Sequence, residues 1–170
     1  SIKSGVDKIR LNPGNIYKEE ELAQVIDAAK DAGISIRVGV NSGSLRKDGG
    51  SLASGAEEMA ESALSSIEKF RKKDFNDIVI SIKAADVATT VEAYRKVASK
   101  CDYPLHLGVT AAGLPEDGIV RSSIGIGALL LDGIGDTIRV SLTGDPVQEI
   151  HVAKRILSSV GARNFGHEII

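Results

Sequence analysis

GDTIRVSLTGDP, residues 135–146, sets Ile138, Val140 and Leu142 against Thr137, Arg139 and Ser141. Successive side chains of a strand point to opposite faces, so one face of this predicted strand is aliphatic and the other polar and cationic. Thr143 and Gly144 then leave the strand. Asp145 is placed to cap a helix, Pro146 stands where a first-turn proline is tolerated, and Gln148 completes a capping-box spacing. The stretch therefore reads as strand, loop and helix, with an arginine near the C-terminal end of the strand.

Working outward, the same alternation occurs four more times. Asp7 to Asn12 opposes Ile9 and Leu11 to Lys8, Arg10 and Asn12, and Ser35 to Asn41 opposes Ile36, Val38 and Val40 to Arg37, Gly39 and Asn41. Asp77 to Lys83 opposes Ile78, Ile80 and Ile82 to Val79, Ser81 and Lys83, and Leu105 to Thr110 opposes Leu107 and Val109 to His106, Gly108 and Thr110. Helical periodicity follows each of them: Lys18 to Ala32 with Gly33 just past its end, Glu57 to Lys73, a helix capped by Asp86 that runs to about Lys100, Arg121 to Leu131, and Val147 to Val160 with Val147, Ile150, Ala153, Ile156 and Leu157 inward. Segment AAGLPEDG is expected to be loop. The glycines between Arg121 and Leu131 fit close backbone packing better than a phosphate-facing helix start.

Strands alternating with helices predict a parallel sheet. An open doubly wound sheet buries both faces, so its central strands should be apolar on both. These are aliphatic on one face only. A TIM-type (β/α) barrel fits better, with the aliphatic face outward beneath the helices and the polar face inward. A full barrel takes eight units and about 250 residues, whereas 170 residues carry five. Residues 1–163 are expected to form this partial barrel and 164–170 to begin a linker or strand. A chain that starts at Ser1 without a methionine fits part of a longer protein.

Composition narrows the function. Hydrophobic residues at 42% and charged residues at 26% suit a soluble globular domain, and a net charge of -2 with six aromatic residues gives no nucleic-acid surface. No apolar run approaches a membrane span and the first residues lack signal-peptide features, so a cytoplasmic location is expected. Cys101 stands alone, which excludes an internal disulfide and any multi-cysteine metal site built from this chain by itself.

The polar faces bring Arg10, Arg37, Lys83 and Arg139 toward strand ends at the mouth of the barrel, where barrel active sites lie. Arginine forks suit phosphate, so these cations imply a polyanion, most economically a diphosphate. Asn12, Asn41, Thr110 and Ser141 add neutral hydrogen bonds on the same faces. His106 reads as a satisfied core histidine rather than a catalytic one. No strand places a carboxylate beside the cations. Asp86 is the nearest candidate partner, with capping its simpler role. Residues 42–55, Gly- and Ser-rich, form either a solvated connector or a loop that covers the ligand.

Taken in order, IRLNPGNI, IRVGVNSGSL, SIKAADV, LHLGVTAAG and SSIGIGALLLDGIGDTIRVSLTGDP resemble the barrel domain of the 4-hydroxy-3-methylbut-2-enyl diphosphate synthase family, over nearly the whole chain. The resemblance implies an iron-sulfur oxidoreductase of the non-mevalonate isoprenoid pathway. Such enzymes reductively open 2-C-methyl-D-erythritol 2,4-cyclodiphosphate, with loss of water. It implies a [4Fe-4S] cluster on a separate C-terminal domain, ferredoxin or flavodoxin as electron donor, and a homodimer. Carried over by motif, the diphosphate contacts would be Arg10, Arg37, Asn41, Lys83, Arg139 and Ser141, with Asn12 and Thr110 close to the substrate. The family usually has Glu where Ala111 stands. The cluster-binding cysteines are expected beyond Ile170 and three barrel strands before Ser1, so the fragment alone is expected not to turn over substrate. Two other functions fit the cations: a transferase barrel of the dihydropteroate synthase type, and a non-enzymatic partial barrel that senses a phospho-ligand.

Overall fold

The computed structural model describes residues 2–12, 19–41, 52–84, 86–110 and 114–166. After a 3-10 turn at Ile2–Ser4 the elements alternate throughout: β1 (Lys8–Leu11), α1 (Glu19–Ala32), β2 (Ser35–Asn41), α2 (Leu52–Arg71), β3 (Ile78–Lys83), α3 (Val87–Ala98), β4 (His106–Leu107), α4 (Pro115–Leu131), β5 (Thr137–Ile138) and α5 (Pro146–Ser159). β1, β2 and β3 form one parallel ladder and β4 and β5 another. A bridge between Ile80 and Leu105 and a bond from the Ile80 N–H to the Pro104 carbonyl, 2.8 Å, join the two. The result is one curved run of parallel strands in chain order, a partial (β/α) barrel as the one-sided alternation predicts.

Side-chain parity explains which face the helices take. Ile36, Val38, Ile80, Ile82 and Leu107 are fully or almost fully buried against Leu22 and Ile26 of α1, Met59, Ala63 and Phe70 of α2, and Ala93 and Val97 of α3. Arg37 and Asn41, of opposite parity, are half-buried. Beyond the bridge between Ile80 and Leu105, the shortness of β4 leaves part of its junction with β3 to a side chain. The Tyr94 hydroxyl accepts the Ile82 N–H at 2.9 Å and donates to the His106 carbonyl at 2.5 Å, replacing ladder bonds where the two strands part. Among the described residues no helix is long and apolar enough to cross a membrane.

Several boundaries differ from expectation. Helix α4 begins at Pro115, not Arg121, because Pro115 at the first position and Glu116 and Asp117 in the first turn are start signals that outweigh the loop-like composition. Its glycines do serve packing: a Cβ on Gly125 would come 2.9 Å from Val109 Cγ2. Helix α2 begins at Leu52, so the end of the expected 42–55 loop is helical; burial of Ala56, Met59 and Ala60 anchors its first turns. Residues 42–51 and 167–170, hence most of that loop and the expected terminal strand, lie outside the described residues. The deciding stretch pairs only at Thr137–Ile138, although Arg139 N–H still reaches the Leu107 carbonyl at 2.9 Å. Asp145 caps α5 as expected, but Glu149 rather than Gln148 reaches back, accepting the Leu142 N–H at 2.9 Å. The inward face of α5 is Val152 and Ile156, while Val147 and Ile150 are exposed, since β5 is too short to support the helix's first turn.

Candidate functional site

Parallel register stacks the cations. Arg10 lies beside Arg37 and Asn41 beside Lys83, the second pair nearer the C-terminal ends of the strands. Two like charges on directly paired residues repel; Arg10, although its charge still acts on Arg37, turns across Gly39. A Cβ there would come 2.7 Å from Arg10 Nε, and Arg10 Nη2 reaches to 3.5 Å from Asn41 Oδ1. Gly108 serves Lys83 in the same way. A Cβ at 108 would sit 3.5 Å from Lys83 Nζ and 2.7 Å from the Arg139 carbonyl. Two glycines on the polar face thus form a floor over which neighbouring cations extend.

Electrostatics shows that the cations share one site. Lys83 is 6% exposed. Burial first, then Arg139, Arg37 and Arg10, push its ammonium down to about 7. The Arg37 guanidinium is lowered by burial, then by Arg10 and Arg139. Among the described residues no ion pair involves any of the four; the ion pairs lie on the outer helices, such as Arg95 with Asp132 and Lys96 with Glu57. Asp86 caps α3, accepting the Thr89 N–H at 2.7 Å. Arg37 Nε and Thr110 Oγ1 are buried with no hydrogen-bond partner among the described residues. Concentrated positive charge with open donors is chemistry for an anion of at least two charges.

His106 enters this cluster. The residue is 7% exposed, with Nε2 3.1 Å from Arg37 Nη1 and Nδ1 2.8 Å from Thr137 Oγ1. Burial first, then Arg37, Lys83, Arg139 and Lys8, lower its pKa to about 4, so the ring is neutral at physiological pH. Parity placed it on the inner face. Its bond to Arg37 crosses from β4 to β2, which local sequence does not show.

The remaining expected residues are less tightly gathered. Asn12 follows β1 and is half-buried; Thr110 follows β4, its N–H on the Ala84 carbonyl at 3.4 Å; Ser141, half-buried, lies beyond Arg139. Among the described residues Ser141 has no hydrogen bond to the cations, and Ala111 lies outside the described residues. Residues missed by the sequence reading are Gly39 and Gly108, visible as small residues on the cationic face, and Thr137, whose partner comes from another strand. No group of His, Cys, Asp or Glu among the described residues could hold a metal ion.

A family model, the GcpE TIM-barrel domain, matches residues 1–154. The chain belongs to the GcpE TIM-barrel family. This GcpE-type barrel is 54% identical over 172 residues to the 4-hydroxy-3-methylbut-2-en-1-yl diphosphate synthase (flavodoxin) of Caldanaerobacter subterraneus subsp. tengcongensis, with 100% of this chain and 48% of that protein covered. It is 55% identical to the proteins of the same name from Ruminiclostridium cellulolyticum, with 99% of this chain and 48% of that protein covered, and Thermodesulfovibrio yellowstonii, with 100% and 49% covered. The chain spans about half the length of these curated relatives.

Proposed function

We propose that this GcpE-type barrel is the substrate-binding part of an oxidoreductase that converts 2-C-methyl-D-erythritol 2,4-cyclodiphosphate to 4-hydroxy-3-methylbut-2-enyl diphosphate in isoprenoid biosynthesis. The observation that carries the reading is the convergence of Arg10, Arg37, Lys83 and Arg139 without a carboxylate partner among the described residues. The three guanidinium groups and the ammonium neutralise the diphosphate, while Asn12, Asn41, Thr110 and Ser141 orient it through neutral hydrogen bonds. The barrel's task is to bind and hold. Reducing electrons come from a flavodoxin, which the relatives' names include, through a [4Fe-4S] cluster. Such a cluster takes four cysteine thiolates; this chain has one cysteine, so its residues do not fit that group and the ligands belong outside these 170 residues. Residues 164–170 lead toward that part of the protein, which works as a homodimer in the cytoplasm.

The test is a calorimetric titration of the intact protein with the cyclodiphosphate, with Arg37→Ala in parallel and a pterin diphosphate for comparison. Preferential binding of the cyclodiphosphate, weakened about tenfold to a hundredfold in Arg37→Ala, is expected, the scale of one lost charge-assisted partner. Preference for the pterin would restore the transferase reading, which the family match disfavours.

A further inference from the structure

We propose that His106, held by Thr137, is a positioning residue that fixes the guanidinium of Arg37 for the anion. The inference rests on the reading of Arg37 as a ligand contact. Hydrogen-bond chemistry assigns the protons. A guanidinium has donors only, so Nε2 of His106, 3.1 Å from Arg37 Nη1, must accept. Nδ1 then carries the single proton of the neutral ring and donates it to Thr137 Oγ1 at 2.8 Å. Thr137, Arg37 and His106 belong to β5, β2 and β4, so the arrangement ties three strands across the floor of the site.

The opposite assignment would set an N–H against an N–H. Every charged group that acts on the ring disfavours its doubly protonated, cationic form: Lys8 from β1, Arg37 from β2, Lys83 from β3 and Arg139 after β5. Tyr94 of α3 bonds the His106 backbone carbonyl, not its ring, and so fixes where the ring is attached. A histidine that only filled the core would need no cation as a partner. Here the acceptor is spent on Arg37 Nη1 while Arg37 Nε, buried, has no partner among the described residues and is left for the ligand.

The intact protein is tested by nitrogen-15 NMR of the His106 ring and by calorimetry with the cyclodiphosphate. At neutral pH Nδ1 should be protonated and Nε2 bare. His106→Leu should weaken binding about tenfold or more, the scale of a lost bond to a charged group. His106→Gln, whose amide oxygen can replace Nε2, should recover affinity to within about threefold. In an Arg37→Ala background His106→Leu should cost nothing further, because two residues acting as one unit are not additive. If His106→Leu destabilises the fold, Thr137→Val at an exposed position carries the same test and should also weaken binding. A protonated Nε2, or an equal loss from either variant with and without Arg37, overturns the proposal. Should Arg37→Ala itself leave binding unchanged, the ligand reading fails, and the ring tautomer then shows separately whether the histidine holds the arginine.

Discussion

Lys83 enters the ligand-free site at a cost, its ammonium held near pKa 7 by burial and three arginines. A cyclic diphosphate carries one ionised oxygen on each phosphorus and does not titrate near neutrality, so bound charge favours the protonated lysine and raises its pKa. Binding should therefore take up a proton, and affinity should fall as pH rises through about 7 toward the bound-state value. Calorimetry in buffers of different ionisation enthalpy measures the uptake, which Lys83→Met should abolish. The histidine has the depressed-pKa sign as well. Its ring, ordinarily near 6.5, titrates at about 4 in the fold, so the stability it contributes is complete above 6.5 and drains away as pH falls to about 4. The loss is on the order of 3 kcal/mol. Urea unfolding at both ends of that window should show a flatter dependence in His106→Gln. The four cations were legible in the sequence because parity alone chooses a face. The role of His106 was not, because it depends on which ring nitrogen meets which strand.

Among the elements, the junction of β3 and β4 depends most on one atom. Tyr94→Phe removes the hydroxyl and leaves the Ile82 N–H and His106 carbonyl buried without their shared partner. A loss of about 2–4 kcal/mol in chemical unfolding is expected for two such groups. Gly135, where the deciding stretch begins, has φ +119°, and a Cβ there would overlap the Leu107 side chain. Gly135→Ala should cost about 1–3 kcal/mol for backbone strain alone, measured in the same way. Strand identity and order followed from alternation, which is local. Strand length did not: β4 and β5 keep two paired residues each because a ladder needs a neighbour at every step, and the neighbour lies 31 residues away. Helix starts were misread where glycine and proline suggested loop, at Leu52 and Pro115, because burial and first-turn chemistry outweighed composition.

For the whole molecule, β1 and β5 each pair on one side only among the described residues, and Val147 and Ile150 on α5 and Val120 and Ile124 on α4 are exposed. Unpaired edges and uncovered apolar side chains invite association. Sedimentation of the isolated 170-residue chain should show mass rising with concentration; a monomer throughout would mean that the edges are protected.

The cation cluster also reverses the kinetic meaning of the overall charge. At a net charge of -2 the molecule, seen from afar as a uniform sphere, repels an anion, and added salt should then speed the encounter. Four cations gathered at one mouth make it instead a strong dipole, and a diffusing dianion within a Debye length of that mouth, about 10 Å, is drawn in. Stopped-flow association rates of the cyclodiphosphate should therefore fall as salt is added, the opposite of what the summed charge dictates.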